Sequence, residues 1–242
     1  MLLIPDVSQI DKMSWNCAAL IFDLDGVLID SNATSERHWK IWAQKHGVPF
    51  EQILAIHHGR PTAEIIRCVA PQLDAAQEAS LKEDREADDL DGLSVFPGAA
   101  RLLGGLPESR RAIVTSGKRR TAMIRLNFGN LPIPQTFITA NEIQNGKPHP
   151  EPYLKAIDRL GFSAGDCVVV EDAPAGIAAA RAAGARVIAV ATSNGPEELG
   201  QADVILRRLD DIQLSVSDAG LSLSWSPAAE LKAGASVDAC DS

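Results

Sequence analysis

Short, uninterrupted runs of hydrophobic residues are the first pattern along this chain. Six of them are rich in β-branched side chains and lack the alternation of a half-exposed strand: 17–22, 111–115, 136–139, 167–170, 186–191 and 203–206. Runs of this length that are apolar on both faces are typical of strands covered by helices on each side. They therefore predict a buried parallel sheet.

Segments with helical character separate the later runs. Residues 118–128, 151–160 and 175–183 are each followed directly by a glycine, the residue that most often ends a helix. This repeat of strand, helix and glycine predicts βα units. The expected fold class is therefore α/β, with a doubly wound parallel sheet whose ligands bind at the carboxyl ends of the strands.

A long interval interrupts the repeat between the first two strands. Residues 23–110 are far more than one crossover helix needs. Within this interval Trp39, Trp42 and Ala43 fall on one face of a helix, and further helical segments follow. We therefore expect an inserted helical domain.

These patterns set the predicted domain boundaries. Residues 1–31 and 95–212 are expected to form the α/β core, and residues 32–94 the helical insertion. The end of the chain, 213–242, is rich in Ala and Ser. Because such a segment buries little apolar surface, we predict a poorly ordered tail.

Composition and charge restrict the class of partner. The chain has 242 residues, of which 45% are hydrophobic and 23% charged, an ordinary composition for a soluble globular protein. Its net charge of -9 argues against a nucleic-acid surface, which binds phosphates through Lys and Arg. No segment approaches the roughly 20 apolar residues of a membrane span. Pro5 and Asp6 interrupt the apolar start before a signal peptide can form, so we expect a cytoplasmic protein without a membrane partner.

The cysteines agree with this expectation. The chain contains Cys17, Cys68, Cys167 and Cys240. They show no paired metal-ligand spacing, and two of them fall in hydrophobic runs. We predict that they are small buried residues in a reducing compartment.

Two carboxylates directly follow the first hydrophobic run. Asp23 and Asp25 are two positions apart in "LIFDLDG", and side chains of a strand repeat every two residues, so both are expected on the same side of the chain. Adjacent carboxylates repel unless a cation or a proton lies between them. Either the two cap the next helix or face solvent, or a divalent metal or a protonated Asp25 relieves the repulsion.

Polar residues also follow three later runs. Thr115 and Ser116 precede a glycine and a basic helix start, and the hydroxyl and N–H groups of such a turn can bind an anion. Lys147, in the loop "NGKPHPEPY", is either a positioned positive charge for phosphate or an ordinary solvated lysine. Glu171 and Asp172 end the fourth run.

The four strand ends together predict one site. In a doubly wound sheet they lie along the same edge, where two acidic pairs, a hydroxyl and a lysine would meet. Such an acidic cluster is costly without a cation. Because a few carboxylates completed by water and phosphate are the ligands that Mg²⁺ prefers, the combination predicts a Mg²⁺ site that also binds phosphate.

The same segments resemble a known family. "DLDGVLIDS", "VTSG", "GKPHPEPY" and "VVVEDAPAGIAAARAAGA" are similar, in this order, to the four motifs of the haloacid dehalogenase-like phosphohydrolases. "FITANEIQNGKPHPEPYLKA" most resembles the glycerol-phosphate and 2-deoxyglucose-6-phosphate phosphatases within that family. Val27 stands where the family often has threonine, a change that affects no charge. The resemblance implies that residues 32–94 are the family's cap.

The resemblance implies a reaction as well. Asp23 would be the nucleophile that takes the phosphoryl group as an aspartyl phosphate. Asp25 would protonate the leaving alcohol and then activate water. Thr115, the backbone of Ser116, and Lys147 would hold the phosphate oxygens.

A Mg²⁺ ion is the cofactor that the resemblance implies. Its ligands would be the carboxylate of Asp23, the backbone carbonyl of Asp25 and the carboxylate of Asp172. Glu171 would be a further ligand or a support for the others. The expected activity is therefore that of a Mg²⁺-dependent phosphatase acting on a small sugar phosphate or polyol phosphate.

Candidates for recognising the leaving group lie in the inserted segment. His57, His58 and Arg60, in "HHGRP", are the best candidates to meet substrate hydroxyls. The alternative is that Arg60 precedes a helix start near Thr62 and that the histidines form a solvated turn. We predict that Arg60 and His58 contact the substrate.

Three other functions share some of these features. A β-phosphoglucomutase-like sugar phosphomutase would use the same motifs, but no clear second phosphate-binding pair is visible in the insertion. A phosphoglycolate phosphatase would suit an arginine such as Arg60. A phospho-accepting signalling module would need neither the second aspartate, Asp25, nor a helical lid. We expect the protein to act as a monomer or small homo-oligomer.

Overall fold

Eleven strands and eight α-helices make up the part of the chain that the computed structural model describes, residues 12–56, 60–218 and 220–233. The strands are β1 (Met13–Cys17), β2 (Ala19–Phe22), β3 (Ile29–Asp30), β4 (Ser94–Val95), β5 (Arg111–Val114), β6 (Thr136–Ile138), β7 (Cys167–Glu171), β8 (Arg186–Val190), β9 (Val204–Leu206), β10 (Gln213–Ser217) and β11 (Gly220–Trp225). The helices are α1 (Asn32–His46), α2 (Phe50–Leu54), α3 (Thr62–Val69), α4 (Ala75–Ala87), α5 (Ala99–Gly105), α6 (Arg119–Phe128), α7 (Glu151–Leu160) and α8 (Pro174–Ala182).

A six-stranded parallel sheet, in the order β6-β5-β2-β7-β8-β9, forms the centre of the fold. Its strands coincide with the six hydrophobic runs of the sequence, so the predicted doubly wound α/β fold is confirmed. Along β2, Leu20 and Phe22 join a core with residues of α5 and α6, whereas Ala19 and Ile21 join a second core with α7 and α8. Helices on both faces explain why these strands are apolar on both sides.

The register of the sheet aligns the carboxyl ends of its central strands. Phe22 on β2 lies opposite Ile113 on β5 and Val170 on β7. The residues that follow these positions therefore emerge along one edge of the sheet. Asp23 and Glu171 are among them.

The three helices predicted between the later strands are present, each starting within one residue of its expected position. Gly161 ends α7 in the left-handed conformation, with φ of 75°, as the sequence suggests. Gly129, after α6, keeps φ of -77°, which any residue can adopt. Within the described ranges, no helix is long and apolar enough to cross a membrane.

Helices α1 to α4 lie between β3 and β4, and we call residues 32–93 the helical insertion. β3 and β4 pair antiparallel, with Ile29 opposite Val95, so the chain leaves and rejoins the core at adjacent points. The helical insertion has its own hydrophobic cluster, in which the rings of Trp39 and Trp42 pack edge to face with centroids 5.7 Å apart. That it acts as a separate domain stays a prediction.

Residues 213–217 and 220–225 form strands, so the prediction of a poorly ordered tail is wrong for them. β11 pairs antiparallel with both β1 and β10 in a three-stranded sheet. Leu221, Leu223 and Trp225 are buried in the core that also contains β2. The segment "GLSLSW" alternates apolar and polar residues, the period of a strand with one buried face, which its Ser content obscured. Residues 234–242 lie outside the described ranges.

Two of the predicted buried cysteines are indeed buried. Burial raises the pKa of Cys17 and of Cys167 to about 11, so both stay protonated thiols at neutral pH. Cys68 is exposed, contrary to the prediction, because α3 turns Ile65 and Ile66 inward and leaves Cys68 on its solvent side. Cys240 lies outside the described ranges.

Trp225→Ala is expected to lower the free energy of unfolding by about 3–5 kcal/mol. Trp225 is 1% exposed and packs edge to face on Trp15, with ring centroids 5.4 Å apart. Urea unfolding measures the loss. Val216→Ala on β10 is the control, because Val216 is 45% exposed, and it should change stability by under about 0.5 kcal/mol. Equal stability of the two variants would show that the Trp225 side chain adds nothing to the core.

Candidate active site

A cleft opens between the carboxyl edge of the parallel sheet and the helical insertion. Five of the residues predicted from the strand ends line it: Asp23, Asp25, Thr115, Ser116 and Asp172. Two more, Lys147 and Glu171, are buried next to this lining. The structure therefore brings together all seven strand-end residues, which come from four separate segments of the chain.

Lys147 lies between two buried carboxylates. Its Nζ donates to Oδ1 of Asp23 and to Oε1 of Glu171, the latter at 2.6 Å. Burial lowers the pKa of this lysine, but the negative charges of Asp23 and Glu171 raise it more, to a net value above the usual one. Lys147 is therefore a buried ammonium that is charged at neutral pH and not a solvated loop residue.

Glu171 uses both of its carboxylate oxygens in contacts within the protein. Oε1 accepts hydrogen bonds from Lys147 and from the hydroxyl of Tyr153, each at 2.6 Å. Oε2 accepts from the backbone N–H groups of Asp172 and Ala173 at 2.9 and 3.2 Å. A Cβ at Gly176 would lie 1.7 Å from Oε1, so α8 approaches the carboxylate closely only because glycine is there. Glu171 thus fixes Lys147 and the loop after β7.

Asp172 lies against the loop that follows β2. Gly26, at the turn of that loop, has φ of 86°, and a Cβ built there would lie 1.8 Å from Oδ2 of Asp172. The side-chain amide of Asn194 donates to the backbone carbonyl of Asp172 at 2.9 Å. A glycine at position 26 is therefore required both by the backbone conformation and by the space that Asp172 occupies.

The acidic residues fit a divalent cation. Asp23, Glu171 and Asp172 each offer an oxygen within 4.8 Å of the others. Burial raises the pKa of Asp23 to about 8 despite Lys147, and Glu171 and Asp25 add to the rise. Burial, Glu171 and Asp23 also raise the pKa of Asp172 well above its usual value. Three carboxylates face one ammonium, so full ionisation leaves two negative charges to compensate, the charge of one Mg²⁺.

Asp25 is held by two donors on one oxygen. Its Oδ1 accepts hydrogen bonds from Oγ of Ser31 at 2.9 Å and from Nη1 of Arg125. Nη2 of Arg125 donates to Oε1 of Glu86 on α4 at 2.7 Å. Burial lowers the pKa of Arg125, but Asp25 and Glu86 raise it above the usual value, so the guanidinium is charged.

The turn after β5 has the form expected of an anion site. Oγ1 of Thr115 accepts a hydrogen bond from the backbone N–H of Gly117 at 3.0 Å, which shapes the turn ahead of α6. Thr115 and Ser116 face the cleft at the start of this helix. Lys118 crosses to the helical insertion, where its Nζ donates to Oγ of Ser80 at 2.9 Å. The positive end of the α6 dipole and nearby N–H groups favour a bound anion here.

The helical insertion supplies the other side of the cleft. Arg60 lines it, as do Trp39, Lys82 and Glu86. His57 and His58 lie outside the described residues, so their predicted contact with substrate stays a prediction. Nζ of Lys82 lies 4.4 Å from the centre of the Trp39 ring and pairs with Glu86.

Sequence reasoning missed several residues of the site. Ser193 lines the cleft and follows β8; reading the fifth strand end in the same way as the other four would have identified it. Tyr153 falls on the buried face of α7, where periodicity predicts burial but not its bond to Glu171. Arg125 lies inside α6 without any motif. Lys82 and Glu86 carry only the i, i+4 spacing of an ordinary helix pair.

Comparison with known proteins agrees with this geometry. The family model of the haloacid dehalogenase-like hydrolases matches residues 20–190. Hexitol phosphatase A from Escherichia coli (strain K12) is 39% identical over 204 residues, covering 82% of this chain and 94% of that protein. Glycerol-1-phosphate phosphohydrolase 1 from Saccharomyces cerevisiae is 35% identical over 217 residues, covering 84% of this chain and 86% of that protein.

A solved structure extends the similarity to the fold. The crystal structure of a hydrolase from Pseudomonas syringae has a TM-score of 0.73 and 26% identity to this chain, covering 80% of it and 95% of the other. The region matched by the family model contains all four strand-end motifs. The resemblance predicted from those motifs is therefore confirmed, and the chain belongs to the family of haloacid dehalogenase-like hydrolases.

Proposed function

We propose that this protein is a Mg²⁺-dependent phosphatase that hydrolyses a small sugar phosphate or polyol phosphate through an aspartyl-phosphate intermediate. The observation that carries the proposal is the buried group of Asp23, Lys147 and Asp172 at the base of a polar cleft. The hexitol phosphatase and the glycerol-1-phosphate phosphohydrolase among its relatives support the polyol and sugar class of substrate.

In the first step a carboxylate oxygen of Asp23 attacks phosphorus. The bond between phosphorus and the substrate oxygen breaks as the bond to Asp23 forms. Asp25 gives its proton to the departing oxygen, which leaves as an alcohol. Asp25 suits this step because its side chain is 29% exposed and lines the cleft, whereas Asp23 is almost fully buried.

In the second step water attacks the phosphorus of the aspartyl phosphate. Asp25, now ionised, takes a proton from this water. The bond between phosphorus and Asp23 breaks, which releases inorganic phosphate and restores both carboxyl groups. The same two aspartates therefore serve both halves of the reaction.

The remaining residues hold the charges in position. Lys147, Thr115 and the backbone of Ser116 would bind phosphate oxygens, since phosphoryl transfer depends mainly on positioning and charge neutralisation. Asp23, the backbone carbonyl of Asp25, and Asp172 would hold Mg²⁺, supported by Glu171. When bound, the ion neutralises phosphate charge that would otherwise repel the attacking carboxylate.

The helical insertion would select the leaving group as a cap over the site. Arg60 lines the cleft, where its guanidinium would meet hydroxyl groups of the alcohol. His58 is a second candidate on the same segment. A cap of this kind also excludes water from the phosphate.

A substrate panel tests the proposed activity. Phosphate release should be greatest with hexitol phosphates, glycerol phosphates or 2-deoxyglucose 6-phosphate, and lower with phosphoglycolate. Faster turnover of phosphoglycolate would favour that alternative. Interconversion of hexose 1- and 6-phosphates, followed by NMR, would favour a mutase. A phosphorylated protein that persists for hours without turnover would instead indicate a signalling module.

The same assay tests whether the activity depends on Mg²⁺. Treatment with EDTA should abolish phosphate release, and added Mg²⁺ should restore it, because the acidic group otherwise carries uncompensated charge. Circular dichroism of the EDTA-treated protein is the control that the fold persists. Full activity in EDTA, with metal analysis showing none bound, would contradict metal dependence.

A further inference from the structure

We propose that Arg125 is a positioning residue that orients Asp25 and makes this orientation depend on the helical insertion. The inference rests on the proposed function, because it assigns Asp25 the proton transfers. Arg125 belongs to α6 of the core and is 7% exposed. One terminal nitrogen pairs with Asp25, and the other donates to Glu86 on α4 at 2.7 Å. A single guanidinium thus joins the proposed acid to the helical insertion.

The two donors of Asp25 act on the same oxygen. Ser31 and Arg125 both contact Oδ1. Among the described residues, none donates a hydrogen bond to Oδ2. The described contacts therefore hold the carboxyl group through Oδ1, and Asp25 lines the cleft in which a substrate would bind. A planar guanidinium that contacts two carboxylates sets their geometry more firmly than an ammonium would.

Burial keeps Arg125 in this arrangement. The side chains of Lys82, Glu86 and Arg125 are 4%, 8% and 8% exposed. Lys82 pairs with Glu86, Glu86 with Arg125, and Arg125 with Asp25, so positive and negative groups alternate along this chain of contacts. Charges removed from water are tolerated only when they are paired. Because Glu86 is part of α4, a displacement of the helical insertion removes one partner of Arg125. The orientation of Asp25 therefore depends on the position of the helical insertion relative to the core.

The same two helices contain a matched contact that lacks these features. Arg120 on α6 pairs with Asp88 near the end of α4, at 2.6 Å, but their side chains are 53% and 66% exposed. Arg120 does not line the cleft or contact Asp25. An exposed pair of this kind contributes little to stability. Variants of this pair therefore show the effect of losing a contact between the core and the helical insertion without disturbing Asp25.

Leaving-group dependence tests the role of Arg125. The alkoxide of a polyol needs a proton as it departs, whereas p-nitrophenolate does not, so kcat/KM for p-nitrophenyl phosphate is insensitive to a misplaced acid. In Arg125→Gln, kcat/KM for the best polyol phosphate of the panel should fall about 10- to 100-fold more than kcat/KM for p-nitrophenyl phosphate. Asp25→Asn is the reference that shows the full effect.

Further variants separate positioning from folding. Arg125→Lys retains the charge and should keep part of the polyol activity that Arg125→Gln loses. Glu86→Gln should shift the ratio of the kcat/KM values for the two substrates in the same direction as Arg125→Gln, but by a smaller factor. Arg120→Gln and Asp88→Asn should leave the ratio unchanged. Thermal unfolding of each variant reports its fold, and if Arg125→Gln does not fold, Arg125→Lys should still lower polyol turnover selectively.

The possible results distinguish this inference from the proposed function. Equal losses on both substrates in the Arg125 variants would refute the positioning role, as would the same shift in Arg120→Gln. If the wild-type protein releases phosphate but the Arg125 variants lose equal activity on both substrates, only the role of Arg125 is contradicted. Wild-type protein that releases no phosphate from any substrate contradicts the proposed function itself.

Discussion

Asp23→Asn is expected to lower kcat for every phosphate ester by at least about a thousandfold, as removal of a nucleophile does. An amide cannot form the bond to phosphorus, and asparagine has the size of the residue it replaces. The fold should persist. Because burial raises the pKa of Asp23 to about 8, the ionised carboxylate is costly in the metal-free fold, and a neutral side chain removes that cost.

Phosphate release and urea unfolding measure the two parts of this prediction. Asp25→Asn is the matched control: it should retain Asp23 as acceptor and accumulate phosphorylated protein when p-nitrophenyl phosphate is the substrate, detectable by mass spectrometry. Asp23→Asn should show no phosphorylated species. A near-normal rate in Asp23→Asn would eliminate Asp23 as the nucleophile.

Lys147→Met should have the largest effect on stability within the site. Removing one partner of a buried ion pair typically costs about 3–5 kcal/mol, because the other charge stays buried without compensation. Lys147 is 2% exposed and contacts both Asp23 and Glu171, so its loss leaves two carboxylates without their ammonium. Turnover should also fall by at least about a hundredfold, as it does when a donor to the reacting oxygens is removed.

Urea unfolding and kcat are again the measurements. Lys40→Met is the control, because Lys40 is 58% exposed and contacts Glu36 on the surface of α1 and the face of Phe50. Its stability should change by under about 0.5 kcal/mol. If Lys147→Met were as stable as Lys40→Met, the buried carboxyl groups would not depend on the ammonium for their stability.

The parallel sheet and the strand-end residues were predictable because both follow from local patterns. Unbroken apolar runs require burial on both faces, and parallel strands place their carboxyl ends along one edge. Asp23, Thr115, Lys147 and Asp172 could therefore be assigned to one site before their distances were known.

Arg125 was not predictable in the same way. Nothing in "RRTAMIRLNF" distinguishes it from Arg119 or Arg120, which are exposed on the same helix. Its burial depends on how α4 packs against α6, which is a tertiary contact. The wrong prediction of a poorly ordered tail had another cause. The composition of residues 213–225 was given more weight than their alternation of apolar and polar residues.

The three-stranded sheet has a consequence for the order in which the chain folds during synthesis. In the described residues, β11 is the only strand that pairs with β1, with Met13 opposite Trp225. Domains generally form from the N-terminal side as the chain emerges from the ribosome. β1 therefore precedes β11, its partner among the described strands, by about 200 residues in the order of synthesis. Completion of the core around β1 therefore has to wait until β11 has been synthesised.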